Sequence, residues 1–170
     1  MWQNPIWWGE YGDTIPIMSI NFIKKKQMEG DALMQVMGTY RHTLDAKSRL
    51  AVPARFRDVL GEQFFLLKAP DKCLFIYDEE EWHRVTEQLR RKSATREDRN
   101  EQRRKYADVY GVELDKQGRI LIPPELVEYA GLKKDVVVFG CDNRIEVWDS
   151  EEWEKILSEP TEDEFDDIIW

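Results

Sequence analysis

Hydrophobic and polar residues alternate along two stretches of the chain, and this pattern predicts short strands joined by turns. The alternation covers Thr39–Leu44 and Arg49–Val52, and it returns over Val109–Leu114 and Arg119–Ile122. A period of two is typical of a strand with one buried face. Each pair of strands is separated by a short polar segment, so each stretch predicts a hairpin.

A short helix is predicted directly after each of these hairpins. Pro53 and Pro123 end the second strand, because proline lacks the amide hydrogen that a sheet ladder uses and suits the first turn of a helix. The predicted helices cover 54–60 and 124–130. Gly61 and Gly131 follow them as C-cap residues.

Mostly apolar runs predict a second hairpin in each half, and their composition indicates burial on both faces. The runs are Phe64–Lys68 with Leu74–Tyr77, and Val136–Phe139 with Arg144–Trp148. Asp78 and Asp149, or the residue after each, are placed to cap a helix whose first turn is acidic. Trp82 and Trp153 occupy matching positions in these helices, and we expect both to pack in the core.

The chain repeats itself at an offset of 70 residues, from Tyr40 to Gly61 and from Tyr110 to Gly131. Tyr, Leu, Asp, Arg, Pro and Gly recur at this offset in both copies. A duplicated unit implies two similar half-structures and two similar sites. The shared polar motif is Asp-x-x-x-Arg, which is Asp45 with Arg49 and Asp115 with Arg119.

The segment between the halves, 92–105, is strongly charged. Thr95 and Asp98 have the spacing of a capping box, which predicts that a helix begins there. This helix has almost no apolar face, so two interpretations stay open. It is either a solvated helix with charge pairs or a surface that faces phosphate groups or another subunit.

The net charge of −9 is concentrated at one end of the chain. Residues 149–170 hold ten acids and one base, so the remaining chain sums to zero. Within it, residues 83–105 hold nine Arg or Lys against four acids, and residues 37–60 hold five against two. Because the local field and not the total charge steers a polyanion, nucleic acid stays a candidate partner.

We expect five parts along the chain. Residues 1–33 form an atypical N-terminal extension, 34–91 a first unit, 92–106 a charged connecting helix, 107–158 a second unit and 159–170 an acidic tail. The codons for Glu29-Gly30 can contain a ribosome-binding sequence, so the natural start is expected at Met34 or Met37 rather than Met1. The longest uncharged run of the extension is too short to cross a membrane.

The Asp/Arg pairs are the candidate site, and two interpretations stay open for them. In one, Asp45 and Asp115 cap the turn amides and pair with the arginines, which is a structural role. In the other, Arg49 and Arg119 present planar forks for phosphate or guanine, oriented by the aspartates and assisted by nearby cations. These cations are Lys47, Lys116 and Arg41.

Catalysis fits the sequence poorly. An Asp/Arg pair lacks a nucleophile and a proton shuttle, and Ser48 has no base placed to activate it. Neither a cofactor fingerprint nor a metal-ligand spacing is present, so we expect no enzyme, no metal and no cofactor. Cys73 and Cys141 are expected as reduced thiols of a cytosolic protein.

The duplicated motif resembles the MraZ family of bacterial transcriptional regulators, over about residues 34–158. Residues 37–57, Met-Gly-Thr-Tyr-Arg-His-Thr-Leu-Asp-Ala-Lys-Ser-Arg-Leu-Ala-Val-Pro-Ala-Arg-Phe-Arg, are close to the family's opening motif. Residues 115–123, Asp-Lys-Gln-Gly-Arg-Ile-Leu-Ile-Pro, are close to its second copy. The chain departs from the family at Ser48, where a glycine is usual.

The resemblance implies an α+β fold with two AbrB-like swapped-hairpin units related by pseudo-twofold symmetry. It implies a ring-shaped homo-oligomer that binds repeated boxes of double-stranded promoter DNA and regulates its own division and cell-wall operon. It also implies a cytoplasmic, nucleoid-associated protein, with Arg49 and Arg119 as the leading DNA contacts. We expect Arg49→Ala to cost more affinity than Arg119→Ala, because Arg41 and Lys47 would strengthen the first tip.

Two other functions stay open. One is an antitoxin-like autoregulator of the same fold superfamily, for which the acidic segment from Pro160 to Trp170 would bind a toxin. The other is an oligomeric scaffold whose Asp/Arg pairs make subunit contacts without reading DNA. Salt dependence separates a phosphate binder from a scaffold, since only the former loses affinity steeply with salt.

Overall fold

A computed structural model describes residues 37–91 and 95–159 of the chain. The expected extension at 1–33, the alternative start at Met34 and the tail from Pro160 onward lie outside the described residues. Within the described part, eight strands and five helices form a mixed α+β fold. This confirms the fold class that the sequence predicts.

The first half contains four strands and the first two helices. They are β1 (Gly38–Thr43), β2 (Arg49–Ala51), α1 (Ala54–Leu60), β3 (Phe64–Lys68), β4 (Leu74–Asp78) and α2 (Glu79–Arg91). The second half follows the same order after a connecting helix. The connecting helix is α3 (Arg96–Ala107). The elements of the second half are β5 (Val109–Val112), β6 (Arg119–Leu121), α4 (Pro124–Tyr129), β7 (Asp135–Cys141), β8 (Arg144–Asp149) and α5 (Ser150–Ser158).

The two halves exchange strands. Six strands form one antiparallel sheet in the order β1-β7-β8-β4-β3-β5, and β2 pairs with β6 in a separate two-stranded ribbon. Strand β1 of the first half therefore extends the hairpin of the second, and β5 of the second extends the hairpin of the first. Equivalent strands meet at β4–β8 and at β2–β6, which gives the fold its approximate twofold symmetry.

This exchange corrects the pairing expected for the first hairpin of each repeat. The turns form as predicted, but β1 and β2 share only the isolated bridge between Leu44 and Leu50. Beyond it the two strands part, because β1 pairs with β7 while β2 pairs with β6. The second hairpins, β3–β4 and β7–β8, pair as the sequence predicts.

The main core lies between one face of the six-stranded sheet and the ribbon with its two short helices. Phe56 of α1 and Leu126 of α4 are fully buried there, against Phe64 and Leu66 of the sheet. Both halves supply this core, which suits units that are each too small to bury enough apolar surface alone. A second cluster on the opposite face packs Trp148 and Trp153 under α5.

The predicted N-terminal helix caps are present, and Gly61 is the C-cap of α1 as predicted, but α4 ends with Ala130 as its C-cap rather than Gly131. Asp149 Oδ1 accepts a hydrogen bond from the Glu151 amide at 3.0 Å, and Asp78 Oδ1 accepts one from the Glu81 amide at 2.7 Å. Both bonds of the predicted capping box at the start of α3 form, between Thr95 and Asp98. No residue of α3 is buried, as its polar composition predicts.

Candidate nucleic-acid interface

The candidate site lies on the outer face of the β2–β6 ribbon. Leu50 lies opposite Ile120, and both side chains are fully buried in the core. Because side chains alternate along a strand, the neighbouring residues face outward. These are Arg49 opposite Leu121 and Ala51 opposite Arg119. The repeat therefore places its two arginines on one exposed surface, on adjacent strands.

The carboxylate of Asp45 organises the first turn. Its Oδ1 accepts hydrogen bonds from the amides of Lys47 at 2.8 Å and Arg49 at 3.0 Å. Its Oδ2 accepts one from Arg49 Nε at 2.6 Å. The Ser48 amide closes the turn on the Asp45 carbonyl at 2.9 Å. One aspartate thus caps the turn and holds the guanidinium in place.

The second turn repeats this geometry. Asp115 Oδ1 accepts from the amides of Gln117 at 2.8 Å and Arg119 at 3.0 Å, and its Oδ2 accepts from Arg119 Nε at 2.8 Å. Gly118 occupies the left-handed conformation with φ 73°, and Ser48 occupies the matching position with φ 57°. The serine accepts the conformation that glycine adopts freely.

The two turns also contact each other. Arg119 Nη2 lies 2.7 Å from Asp115 Oδ2, and its Nη1 lies 3.7 Å from Asp45 Oδ2. Each turn also forms a hydrogen bond with the other half of the chain. The Val52 amide donates to the Gly118 carbonyl, and the Ile122 amide donates to the Ser48 carbonyl, each at 3.0 Å. The site is therefore one unit built from both halves.

The arginines hold both carboxyl groups ionised. The Arg119 guanidinium, together with the Arg119 and Gln117 amides, lowers the pKa of Asp115 to about 2. The pKa of Asp45 is also lowered, first by the Arg49 amide and then by the Lys47 amide and the Arg49 side chain. Hydrogen bonds to the charged form produce this shift. Arg49 and Arg119 keep 34% and 24% of their side-chain surface exposed, so both can still meet a ligand.

The structure brings some of the expected cations to this surface and not others. Lys47 and Lys116 are exposed in the two turns. Arg41, in contrast, lies opposite Val137, which faces the second cluster under α5. Arg41 forms an ion pair with Glu154 of α5 on that side of the sheet. The expectation that Arg41 strengthens the first tip is therefore wrong.

Arg57 is a residue of this surface that the sequence did not reveal. It lies on α1, donates from Nε to the Val52 carbonyl at 2.8 Å and covers the second turn. A Cβ added to Gly118 would lie 2.4 Å from its Cζ. The repeat gave no signal, because the equivalent residue of the second copy is Val127. Together with burial, which acts more strongly, Arg57 lowers the pKa of His42.

Other site types find little support in the described part of the chain. Over residues 37–91 and 95–159, His, Cys, Asp and Glu form no group suited to a metal ion. Burial raises the pKa of the Cys73 thiol to about 12, which keeps it protonated and unreactive. None of the helices in these ranges is long and apolar enough to cross a membrane.

Comparison with known proteins gives the class of protein that this arrangement belongs to. A family model described as "MraZ protein, putative antitoxin-like" matches twice, at residues 36–105 and 106–168. The chain belongs to the MraZ family, whose curated relatives are named transcriptional regulators and not enzymes.

Three relatives show how close this likeness is. The protein named "Transcriptional regulator MraZ" from Caldanaerobacter subterraneus subsp. tengcongensis is 43% identical over 134 residues, which are 78% of this chain and 93% of the relative. The protein of that name from Thermoanaerobacter sp. is 44% identical over 134 residues, with the same shares of 78% and 93%. The one from Acetivibrio thermocellus is 50% identical over 118 residues, which are 69% of this chain and 82% of the relative.

Proposed function

We propose that this chain is a sequence-specific DNA-binding transcriptional regulator that reads promoter DNA with the outer face of the β2–β6 ribbon. The observation that carries the proposal is the placement of Arg49 and Arg119 on one exposed, twofold-related surface. The membership in a family of transcriptional regulators supports the same conclusion.

The geometry suits duplex DNA. A two-stranded β-ribbon fits the major groove of B-DNA, where an arginine fork can donate to O6 and N7 of guanine. Asp45 holds the Arg49 guanidinium through Nε, the nitrogen nearest the chain, whereas Asp115 holds that of Arg119 through both Nε and the terminal Nη2. Lys47 and Lys116 would add phosphate contacts at the two ends of the ribbon.

The chain is proposed to act as a ring-shaped homo-oligomer on repeated boxes upstream of its own division and cell-wall operon. One ribbon can read only a few base pairs. Several ribbons held at regular spacing gain affinity on tandem boxes, because the first contact raises the effective concentration of the next. Such a protein would work in the cytoplasm, associated with the nucleoid.

One observation favours a second candidate, an oligomeric scaffold without DNA readout. Both arginines already pair with aspartates of the same chain, and surface pairs of this kind often have a purely structural role. The family description also mentions an antitoxin-like role, in which the chain would bind a toxin as well as its promoter.

A mobility-shift titration separates these functions. The full chain and the double variant Arg49→Ala/Arg119→Ala would be titrated against the DNA upstream of the gene, at low and moderate salt. The matched control is Arg90→Ala/Arg91→Ala, which removes the same charge from exposed residues of α2. We expect the ribbon variant alone to lose binding while it stays folded. Absence of binding by the unaltered chain would favour the scaffold.

A further inference from the structure

The two halves differ where their final helices cover the sheet. In the second half, Trp153 of α5 is only 7% exposed and packs against Trp148 and Phe139 at ring distances of 6.0 and 4.9 Å. In the first half, the matching Trp82 of α2 is only half-buried and contacts Phe65 and Tyr106. The equivalent tryptophan is therefore buried against the sheet in the second half and partly exposed in the first.

Around Trp82, a groove of about 570 Å³ lies between the sheet, α2 and α3. Leu67 and Phe75 of the sheet supply its floor, and Trp82, Val85 and Leu89 of α2 supply one wall. Tyr129 also lines the groove, and Lys72 Nζ lies 4.4 Å from its ring centroid. An apolar groove of this size on a small domain is typical of a binding surface.

The other wall of the groove carries a net positive charge. It is formed by α3, which holds five arginines or lysines against three acids. Arg104 and Lys105 line the groove together with Glu101, which pairs with Lys105 at 2.8 Å, and Lys68 lines it together with Asp108, to which it pairs at 2.6 Å. The groove therefore suits a ligand that carries apolar side chains and negative charge together.

We propose that this groove binds the chain's own C-terminal segment, residues 160–170. The segment combines five acids and no base with four large apolar residues, Phe165, Ile168, Ile169 and Trp170. Its apolar side chains match the floor and the α2 wall, and its carboxylates match the net positive charge that Arg104 gives to the α3 wall. The basic connecting helix and the acidic tail are the two strongly charged segments that the DNA-binding surface leaves unexplained.

The segment can reach the groove from where α5 ends. Phe75 belongs to both places, since it lines the groove and packs against the Trp148–Trp153 cluster under α5. The groove and α5 therefore lie side by side on one face of the sheet. Eleven extended residues span about 35 Å, which exceeds the width of two neighbouring helices.

Photo-crosslinking in the full chain tests the proposal. Phe165 would be replaced by benzoylphenylalanine, which keeps an aromatic ring, and the products would be mapped by mass spectrometry. We expect most products in peptides of α2 and α3. The same probe at Leu157, which is 63% exposed on α5, is the placement control and should label other peptides. Products spread over the surface, or no products, would overturn the proposal.

Two charge reversals on α3 sharpen the test. Arg104→Glu places a negative charge in the groove wall, and Arg103→Glu makes the same change one residue away, outside the groove. We expect the first to lower the yield in α2 and α3 peptides by at least about fivefold and the second by much less. An equal decrease in crosslinking yield for the two variants would count against binding in the groove.

An isotope mixture decides which chain supplies the segment. Probe-bearing chains of natural isotope composition would be mixed with ¹⁵N-labelled chains before irradiation. Products within one chain support the proposal, whereas products that join a light and a heavy chain would overturn it in favour of a neighbouring copy's tail.

Discussion

Arg119 Nη1 of the second half lies 3.7 Å from Asp45 Oδ2 of the first half. This contact has no counterpart between Arg49 and Asp115 among the ion pairs of the described residues. Asp45 therefore serves two arginines, while Asp115 serves one. The ribbon is symmetric in its backbone and asymmetric in its charges, so equivalent arginine substitutions in the two turns should differ in their effect on the aspartates.

Acid titration of Asp115 should reveal its pairing with Arg119. The pKa of Asp115 is lowered from its ordinary value of 3.8 to about 2, chiefly by the Arg119 side chain. Ionised Asp115 therefore stabilises the fold above about pH 4, and this contribution disappears as the pH falls towards 2. In Arg119→Ala we expect the pKa of Asp115 to rise towards 3.8, as followed by carboxyl ¹³C NMR.

Arg49→Ala is the matched control for that titration. It should raise the pKa of Asp45, because it removes a direct hydrogen bond, and should leave that of Asp115 near 2. A shift of Asp115 in Arg49→Ala as large as in Arg119→Ala would contradict the assignment of its main partner.

The left-handed turn positions should respond in opposite ways to substitution. Ser48→Gly relieves the cost of a positive φ and should stabilise the fold by about 1 kcal/mol. Gly118→Ala adds that cost and also places a Cβ 2.4 Å from Arg57 Cζ. We expect it to destabilise the fold by about 2 kcal/mol.

Urea unfolding of both variants beside the unaltered chain gives these free energies. Adding Arg57→Ala to Gly118→Ala is the control, since it removes the steric part of the cost. Equal stabilities of Gly118→Ala with and without Arg57 would show that the guanidinium simply moves aside.

The two tryptophans that the repeat aligns should differ in their importance for stability. Trp153→Ala removes a side chain that is only 7% exposed and should cost about 3–5 kcal/mol. Trp82→Ala removes a half-buried side chain beside the groove and should cost about 2 kcal/mol. Thermal unfolding of the two variants gives the order, and a larger loss for Trp82 would contradict the described packing.

Loss of either ribbon arginine should weaken DNA binding by a similar factor. The sequence favoured a larger loss for Arg49→Ala, but that argument used Arg41, which pairs with Glu154 on the other face of the sheet. We now expect about tenfold for each single alanine variant. Fluorescence anisotropy with labelled promoter DNA measures both, with Arg41→Ala as a control that should bind almost normally.

Most of the local structure was readable from the chain. The Pro53 and Pro123 positions and the capping residues fixed where helices begin, and the apolar runs fixed the two β-hairpins of the large sheet. Each of these features depends on residues that are close in sequence. Trp153 was correctly expected in the core, whereas Trp82 is only half-buried, because it lines the open groove between α2 and α3.

The pairing between the halves could not be read in the same way. Alternation in Thr39–Leu44 shows that one face is buried, yet it carries no information on the partner strand, which is β7 at the far end of the chain. The same holds for Arg57 and Arg41, whose surroundings depend on tertiary placement. The Asp-x-x-x-Arg motif showed where the site lies in the sequence. The side chains that surround the site depend on the strand exchange, which the sequence did not show.

The strand exchange also determines the order in which strands can pair while the chain is being synthesised. Gly38 pairs with Gly140, so β1, the first strand of the described residues, has no partner until about a hundred residues later. Strands β3 and β4 can form a hairpin early, but their flanking strand β5 and the central partner β8 belong to the later half. Non-local pairing of this kind slows folding. A nascent first half would therefore expose unpaired edges, and chaperones would have a natural substrate in it.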